Sequence, residues 1–429
     1  EPPHRLKFKG PLHIPFDHDD VRVYIDNLFL DGLLQPVPHE KPEVLAGKWV
    51  TVGLRIDPKA DRLRRLRRLV ESARGTLPSS EARHQEWLAF ACRWAELTAL
   101  WIGSAAELPE DMAHGFLELR RSVDSAFLAW VQSRYAGLHN QPPLPPVMVH
   151  HVPRALARDL AEDGRARVAL VIVDGLALDQ WVVLRDVLQT QRSLRFRDGA
   201  VFAWLPTITS VSRQAAFAGR PPIYFPATIH ATDKEAALWS QFWVDQGLNQ
   251  REIGCLKGLG DGELNMVSEM TADPAIRAMG VVVDKVDRIM HGMELGSAGM
   301  HNQVRQWAAQ GYMASLLDVL LNRGFKITIT SDHGNIEARG CGRPAEGAVA
   351  DVRGERVRVY PDGTLRSQVK QRFPEAIEWP AIGLPGDFLP LLAPSRLAFV
   401  REGDQVVAHG GISVEEMVVP LVQVERRDT

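Results

Sequence analysis

Residues 327–335, Ile-Thr-Ile-Thr-Ser-Asp-His-Gly-Asn, alternate β-branched and small polar side chains and then stop on two adjacent residues of metal-binding type. The alternation predicts a strand, and the stop places Asp332 and His333 where that strand reaches the edge of a sheet. We therefore expect the other candidate site residues of the chain to lie near this edge.

A second strand of the same design lies upstream. The run from Val168 to Val173 is apolar at every position and is followed by Asp174 and Gly175. A run without alternation is typical of a strand buried on both faces, and glycine permits a sharp turn where the carboxylate emerges. Two buried strands that each end in an acidic ligand predict one shared site.

The composition is that of a globular protein with more than one domain. The chain has 429 residues, 45% apolar and 24% charged, and at about 150 residues per domain we expect two or three units. No stretch approaches the roughly 20 apolar residues of a membrane span. The net charge of −3 gives no global case for nucleic-acid binding.

Two further features concern the setting of the chain. The cysteines, Cys92, Cys255 and Cys341, are far apart, which favours a reducing, cytoplasmic compartment and argues against a cysteine-based zinc site. The chain begins at Glu1 rather than Met and shows no signal peptide. We therefore expect a truncated chain or the downstream part of a longer protein.

Residues 1–56 are expected to form a small, β-containing accessory region. Apolar runs at Val21–Ile25 and Trp49–Ile56, interrupted by Pro and Gly, have the length of strands. Nothing in this region points to a particular chemistry.

Residues 57–141 predict a helical region of three helices. Apolar residues recur in each at intervals of three to four, the spacing of an amphipathic helix. The expected boundaries are an opening at Asp57-Pro58, a cap at Ser80 and a third helix from Pro109 to Tyr135.

The first of these helices carries a run of arginines between its apolar positions: Arg62, Arg64, Arg65, Arg67 and Arg68. The ordinary interpretation is a solvated basic face. A surface for nucleic acid or for an acidic partner is the alternative, and the sequence leaves both open.

A proline-rich run at residues 141–146 separates the helical region from a different pattern. Consecutive prolines cannot continue a helix, so a domain boundary is predicted here. From 142 to 429 strands alternate with helices, which predicts an α/β sheet with helices on both faces. Residues 223–278 and 341–400 break the alternation and are expected to be insertions. The first would cover the site, and the second contains a hairpin around 361–363.

Three further segments supply candidate site residues. A hydroxyl-rich turn at 207–212 lies between a strand and a helix, where free N–H groups favour a negative oxygen, although Ser and Thr are also common helix caps. Asp287 and His291 stand four apart and share a helical face, with Asp284 as a competitor at spacing seven. His409 precedes two glycines, which allow the backbone to approach an ion closely.

Taken in order, these motifs resemble the alkaline phosphatase superfamily and, within it, the PglZ family of BREX phage-defence systems. The resemblance rests on Val-Asp-Gly-Leu at 173–176, Leu-Pro-Thr-Ile-Thr-Ser-Val-Ser-Arg-Gln at 205–214, Ser-Asp-His-Gly at 331–334 and His-Gly-Gly-Ile-Ser-Val-Glu-Glu at 409–416. It covers about residues 165–425. It implies an alkaline-phosphatase-like sandwich with a mostly parallel central sheet, preceded by the helical accessory region.

The resemblance also implies two divalent metal ions, each held by carboxylate and imidazole groups. The first set is Asp174, Asp332 and His333 with the Thr209 oxygen, and the second is Asp287, His291 and His409. Mixed ligands of this kind suit zinc, with manganese as the alternative.

Within the turn, the resemblance implies Thr209 as the nucleophile, because the second hydroxyl of a Pro-Thr-x-Thr turn fills that place in similar enzymes, and Ser210 is the runner-up. A threonine hydroxyl is hardly ionised at neutral pH, so an ion has to stabilise its alkoxide. Arg213 would contact a non-bridging phosphate oxygen or, equally, form a surface salt bridge. Asn335 is a weaker candidate for the phosphate contact.

Together these inferences predict a two-metal-dependent phosphatase or phosphodiesterase, with nuclease action as one form, in a bacterial anti-phage defence system. The expected partners are a phosphate ester, such as a nucleotide or nucleic acid, and other defence-system proteins, without a membrane. Two alternatives stay open. One is a phosphomutase, for which no Arg/Lys cluster is visible near the ligands, and the other is a metal-binding scaffold without turnover.

Overall fold

A computed structural model describes residues 18–30, 34–39, 42–45, 48–54, 58–104, 108–345 and 350–427. The chain divides into two compact units, Glu1–Ser72 and Ala73–Thr429. Within the described ranges, no helix is both long enough and apolar enough to cross a membrane.

The first unit is helical over most of its described length. Helix α1 spans Asp19–Leu30, and short 3-10 turns occupy Pro42–Leu45 and Trp49–Gly53. Helix α2 spans Pro58–Gly75 and so passes the boundary of the unit. Its first residue agrees with the predicted opening, whereas Asp57 lies outside the described residues.

The strands predicted in the first unit are wrong. Val21–Ile25 lies inside α1, where Asp19 and Asp20 occupy the first turn and stabilise the helix dipole. This arrangement outweighs the β-propensity of Val and Ile, which is strongly dependent on context. In the described part of the second run, a single isolated bridge pairs Leu54 with Val37.

Two further helices precede the sheet. Helix α3 spans His84–Ser104 and α4 spans Glu110–Arg134, and their buried stripes include Trp87, Trp94 and Phe116. Ser80 does not cap α3. The helix begins later, at His84, and Arg83 is the residue before it. The Glu86 side chain accepts the backbone N–H of Arg83 at 3.0 Å and so stabilises this start.

These two helices belong to the second unit, which begins at Ala73, so the proline run lies inside that unit. Trp130 of α4 stacks on Phe202 with ring centroids 5.4 Å apart. Asp124 of α4 accepts a 2.8 Å hydrogen bond from Nε of Arg396. Because the apolar stripes of α3 and α4 are buried against the α/β layers, these helices are part of the core of the second unit.

Six strands form the central sheet, and they are β1 Arg167–Val173, β2 Leu194–Phe202, β3 Ile253–Leu259, β4 Ala278–Val283, β5 Phe325–Thr330 and β13 Val418–Arg426. Their order across the sheet is β2-β13-β5-β1-β4-β3. Strand β1 is parallel to β4 and β5, and β3 is parallel to β4, whereas β13 is antiparallel to β5 and β2. The expected mostly parallel sheet is confirmed.

Strands β1 and β4 are buried at successive positions, so helices must cover both faces of the sheet. The helices of this layer are α5 Val152–Glu162, α6 Leu178–Gln191, α7 Thr209–Ala218, α8 Glu235–Asp245, α9 Asn265–Ala272, α10 Lys285–His291, α11 Gly296–Ala309 and α12 Tyr312–Asn322. This is the α/β architecture that the sequence predicts.

Residues 223–278 are not simply an insertion, because they supply α8, α9 and the edge strand β3. The glycines in this stretch interrupt the pattern of apolar residues by which a strand is recognised in a sequence. Gly254 allows close packing, since a Cβ there would lie 2.7 Å from the sulfur of Met279 and 2.8 Å from that of Met270, and these side chains would have to shift.

Residues 341–400 contribute strands to two small sheets. One sheet joins β6 Ile336–Gly340, β11 Leu397–Ala398 and β12 Gln405–Ala408, and the other joins β7 Val352–Arg353, β8 Val357–Tyr360, β9 Ile377–Glu378 and β10 Leu389–Leu392. The chain ends with α14 Val414–Met417 and β13.

The hairpin predicted around 361–363 is wrong, because this turn begins helix α13, Gly363–Arg372. The Asp362 carboxylate accepts the backbone N–H groups of Thr364 at 2.7 Å and Leu365 at 3.2 Å. An Asp-Gly pair is also a good helix cap, and here the cap prevails.

Candidate metal and nucleophile site

The candidate site lies at the carboxyl ends of β1, β4 and β5. Asp174 follows β1, Asp332 and His333 follow β5, and Asp287 lies in α10 just after β4. Because the three strands are adjacent and parallel, their carboxyl ends meet at one edge of the sheet. The crossover topology therefore brings together residues that are far apart in the chain.

Asp174, Asp332 and His333 form a first cluster, whose candidate ligand atoms lie within 4.8 Å of one another. Oδ1 of Asp332 accepts the backbone N–H groups of Gly175 at 3.2 Å and His333 at 3.1 Å. Oδ2 has no hydrogen-bond partner among the described residues. One oxygen of this buried carboxylate is held by the backbone, and the other is left for a ligand.

Asp287, His291 and His409 form a second cluster, again with ligand atoms within 4.8 Å of one another. The His409 ring stacks on that of His333, with centroids 3.9 Å apart and planes inclined by 6°. This stacking joins the two clusters into one site.

The backbone sets which nitrogen of each buried histidine faces the site. Nδ1 of His333 donates to the Gly334 carbonyl at 3.0 Å, and Nδ1 of His409 donates to the Thr207 carbonyl at 2.7 Å. Nε2 of each ring therefore carries the lone pair. This is the usual way in which a protein orients an imidazole toward a metal.

The two threonines of the turn have different roles. Thr209 is the first residue of α7, and its Oγ1 lies 3.0 Å from Nε2 of His333. Thr207 is completely buried, and its hydroxyl donates to the Gly411 carbonyl and accepts the Gly410 N–H, each at 3.0 Å. Only Thr209 brings a hydroxyl to the metal-binding candidates, whereas Thr207 ties the turn to the His409 loop.

Arg213 is buried rather than on the surface, so a surface salt bridge is excluded. Its Nη1 donates to Oδ2 of Asp174 and its Nε donates to Oε1 of Glu235 at 2.8 Å. Glu235 is 0% exposed and also accepts from Nζ of Lys257 at 2.5 Å. The guanidinium thus holds one oxygen of a candidate ligand in place, while its contact with a phosphate stays a prediction.

Asn335 supports the site rather than facing a phosphate. Its Nδ2 donates to the Gly175 carbonyl at 2.7 Å, and its Oδ1 accepts from Nε2 of Gln180 at 2.8 Å. Both ends of the amide are therefore used within the protein, and they hold the turn that follows β1.

Several residues of the site were not found from the sequence. Glu235, Lys257 and Gln180 carry no motif that separates them from surface residues. Arg356 is another such residue. It is 0% exposed, donates to both carboxylate oxygens of Glu416 at 2.7 and 2.9 Å, and thereby holds the acceptor of the Gly411 N–H.

A family model described as the BREX system PglZ alkaline phosphatase-like domain matches residues 152–424, well over half of the chain. The chain belongs to the PglZ family. No curated protein is similar enough to this PglZ-family chain in sequence to count as a match.

Solved structures that match part of this chain include ectonucleotide pyrophosphatase/phosphodiesterase 5 from mouse, an inactive form in complex with AMP. It is 12% identical, the match covers 60% of this chain and 87% of that one, and the TM-score is 0.45. The human counterpart has the same identity and coverage with a TM-score of 0.41. Phosphonoacetate hydrolase from Sinorhizobium meliloti, in complex with phosphonoformate, is 12% identical over 60% of this chain and 90% of its own, with a TM-score of 0.38.

Burial governs the electrostatics of the first cluster in the PglZ-family chain. Burial, together with the neighbouring Asp332 carboxylate, raises the pKa of Asp174 well above its ordinary value, against the opposing charge of Arg213. Burial also raises the pKa of Asp332. Without a further cation, these two carboxylates therefore bind protons strongly.

The pKa values of the two buried histidines and of Asp287 are shifted downward, whereas the interaction with Asp287 raises the pKa of His291. Burial lowers the pKa of His333, and burial and the charge of His333 lower the pKa of His409 to about 4. Burial raises the pKa of Asp287, but its interaction with His291 and the charges of the nearby imidazoles outweigh this effect and lower it. At neutral pH the two buried imidazoles are neutral, the form that binds metals.

The donor set fits divalent metal ions. Two buried carboxylate oxygens of the first cluster, Asp174 Oδ1 and Asp332 Oδ2, have no hydrogen-bond partner among the described residues. Oδ1 of Asp287 faces Nε2 of His291, at 3.4 Å. A buried carboxylate oxygen without a partner is unfavourable unless a cation neutralises it. With the open Nε2 atoms of two imidazoles, these oxygens form a mixed oxygen and nitrogen set that suits zinc or manganese.

Proposed function

We propose that this PglZ-family chain is a two-metal-dependent hydrolase that transfers a phosphoryl group from a phosphate ester to Thr209 and then to water. The observation that carries the proposal is the position of Thr209 Oγ1, 3.0 Å from His333 Nε2, beside two clusters of metal-binding candidates. A scaffold without turnover has no need for a hydroxyl at that position.

The proposed ligands follow the two clusters. The first ion is held by Asp174, Asp332, His333 and Thr209, and the second by Asp287, His291 and His409. When bound, divalent ions of this kind stabilise an alkoxide and the charge that develops on a transferring phosphoryl group.

The chain itself supplies position and orientation. Thr209 presents its oxygen at the N-terminus of α7, where the helix dipole favours negative charge. Its oxygen forms a bond to phosphorus as the bond from phosphorus to the leaving oxygen breaks, and the leaving oxygen gains the proton that the hydroxyl loses. Water then cleaves the bond between Thr209 and phosphorus, which restores the hydroxyl and releases phosphate, or a phosphate monoester when the substrate is a diester. Arg213 and the backbone N–H groups of Gly175 and His333 each hold one oxygen of a buried aspartate, so that the other oxygen is presented to the site.

The biological setting is the second part of the proposal. Membership in the PglZ family supports a role in bacterial anti-phage defence, with other defence-system proteins as partners and a nucleotide or nucleic acid as the phosphate ester. The three cysteines are free, which supports a reducing compartment such as the cytoplasm.

The test is hydrolysis by the purified chain. Protein loaded with zinc or manganese is expected to cleave bis-nitrophenyl phosphate, nitrophenyl phosphate or both, and chelated protein neither. Comparing the two substrates separates a diesterase from a monoesterase, and an oligonucleotide panel extends the test to nucleic acid. A chain that binds two metal ions but turns over no phosphate ester would refute the hydrolase proposal and leave a metal-binding scaffold.

A further inference from the structure

A cavity with both polar and apolar walls lies within the first unit and contains none of the metal-binding candidates. Its volume is about 330 Å³, near the lower end of the range for sites that enclose a small ligand. The wall is formed by α1, the turn at Trp49–Gly53 and α2, and its polar side chains include Asp26, Trp49, Asp61, Arg64 and Arg68.

Buried atoms of this wall lack a hydrogen-bond partner among the described residues. They are the acceptors Asp26 Oδ1 and Asp61 Oδ2 and the donor Trp49 Nε1. Buried polar atoms in proteins are almost always satisfied by protein, water or a ligand. The cavity therefore offers both hydrogen-bond acceptors and a donor to whatever occupies it.

The α2 arginines of the wall add positive charge. Arg64 forms an ion pair with Asp61, and Arg68, one helical turn further on, forms none with any residue that the structure describes. Their neighbour Arg67 is also exposed but does not line the cavity. The charge of Arg68 is thus available to an anion at this cavity.

We propose that this cavity binds one nucleotide of a single-stranded nucleic acid. The arginines neutralise the phosphate, Asp26 and Asp61 accept N–H groups of the base, and the Trp49 ring packs against the base on the face opposite the Arg22 guanidinium, which lies 5.7 Å from the ring centroid. An acidic peptide fits less well, because its acidic side chains offer neither an aromatic face to Trp49 nor an N–H group set apart from the negative charge, whereas a nucleotide has both in its base. The basic helix that the sequence left unassigned thus becomes part of a nucleic-acid site.

The test is binding of a fluorescein-labelled single-stranded oligonucleotide to the full chain carrying Thr209→Ala, so that the probe is not cleaved. Arg68→Ala is expected to weaken binding about tenfold, and Arg67→Ala, the matched control, less than about twofold. Trp49→Leu is expected to weaken it about tenfold or more, and Trp49→Phe less. If Arg68→Ala disturbs folding in a thermal melt, Arg68→Gln, which removes the charge but keeps most of the side chain, provides the same test and is expected to weaken binding to a similar extent.

Several results would overturn the proposal. Equal losses in Arg67→Ala and Arg68→Ala would indicate a general basic face. A duplex that binds as tightly as the single strand would exclude an inserted base, and polyglutamate that competes as well as the oligonucleotide would indicate an acidic partner. Absence of binding at about 0.1 mM protein in low salt would refute the site altogether. Binding is measured without turnover, so failure of the hydrolase proposal would leave this result untouched.

Discussion

Oγ1 of Thr209 lies 3.0 Å from Nε2 of His333, 124 residues away in the chain. The other nitrogen of this imidazole donates to the Gly334 carbonyl, so Nε2 is the acceptor and the Thr209 hydroxyl is the donor. The same Nε2 lies 3.8 Å from Oδ1 of Asp174, an oxygen that has no hydrogen-bond partner among the described residues. A hydroxyl, an imidazole and a carboxylate are thus directed at one small volume.

Replacing Thr209 tests whether this hydroxyl is the nucleophile. Thr209→Ala is expected to lower the hydrolysis rate of the metal-loaded chain by about a thousandfold or more, because it removes the hydroxyl that lies beside His333. Metal content, measured by mass spectrometry, should stay nearly unchanged. Ser210→Ala is the matched control and should retain activity within a few-fold. If Ser210→Ala is the inactive variant, the assignment of Thr209 is wrong.

Metal stoichiometry separates the two proposed ion sites. Asp287→Ala removes a ligand of the second set only, and Asp332→Ala removes one of the first set only, so each variant is expected to hold about one ion where the wild-type chain holds two. Asp284→Ala, the competitor at spacing seven, should keep both ions. Loss of an ion in Asp284→Ala but not in Asp287→Ala would reverse the assignment.

The buried charges behind Asp174 should matter for stability. In Glu235→Gln the side chain keeps its shape but loses the charge that faces Arg213 and Lys257, so the free energy of unfolding in urea is expected to fall by about 3 kcal/mol. Asp233→Asn provides the control, because Asp233 and its partner Lys234 are exposed, and its unfolding midpoint should not change. Equal midpoints for Glu235→Gln and the wild-type chain would show that Glu235 does not stabilise the site.

The raised pKa values of Asp174 and Asp332 predict how pH acts on the metal-free protein. Because the folded state binds these protons more tightly than the unfolded state, their contribution to stability is present at low pH and is lost as pH rises from about 3.9 through the raised folded values. Bound zinc neutralises the deprotonated carboxylates and removes this loss.

The increase in melting temperature on adding zinc should therefore be larger at about pH 8 than at about pH 5.5. The pKa of His409 is about 4, so its imidazole is neutral at both values and does not compete. The raised pKa of His291 adds to the proton competition at the lower pH, so the comparison with Asp174→Asn isolates the share of the carboxylates. Asp174→Asn, which cannot ionise, should show a weaker dependence on pH. An equal increase at both pH values in the wild-type chain would contradict proton competition at these carboxylates.

Truncations test where the catalytic unit begins. A chain starting at Ala73 is expected to unfold cooperatively in a thermal melt, because α3 and α4 stay with the sheet. A chain starting at residue 142 should aggregate, since it exposes Phe202 and leaves Arg396 without Asp124 and Glu415 without Trp94. Cooperative unfolding of the shorter chain would support the boundary at the proline run instead.

Much of the α/β fold could be predicted because its signals are local. The run from Val168 to Val173 and the segment at 327–330 are strands as their patterns indicate, and each is followed by the expected acid. Asp287 and His291 share a face because a spacing of four does so in any α-helix. Local patterns were misleading where context decided, as at Val21–Ile25 in α1 and at the glycine-rich strand β3.

The sequence by itself therefore determined which residues stand at the ends of strands and helices, since hydrophobic periodicity and helix geometry act over a few residues. Only the tertiary structure decided which of those residues meet. The stacking of His409 on His333, the burial of Arg213 between Asp174 and Glu235, and the inclusion of α3 and α4 in the second unit all depend on long-range packing. Such contacts depend on how layers of helices and strands cover one another, and no short stretch of sequence contains that information.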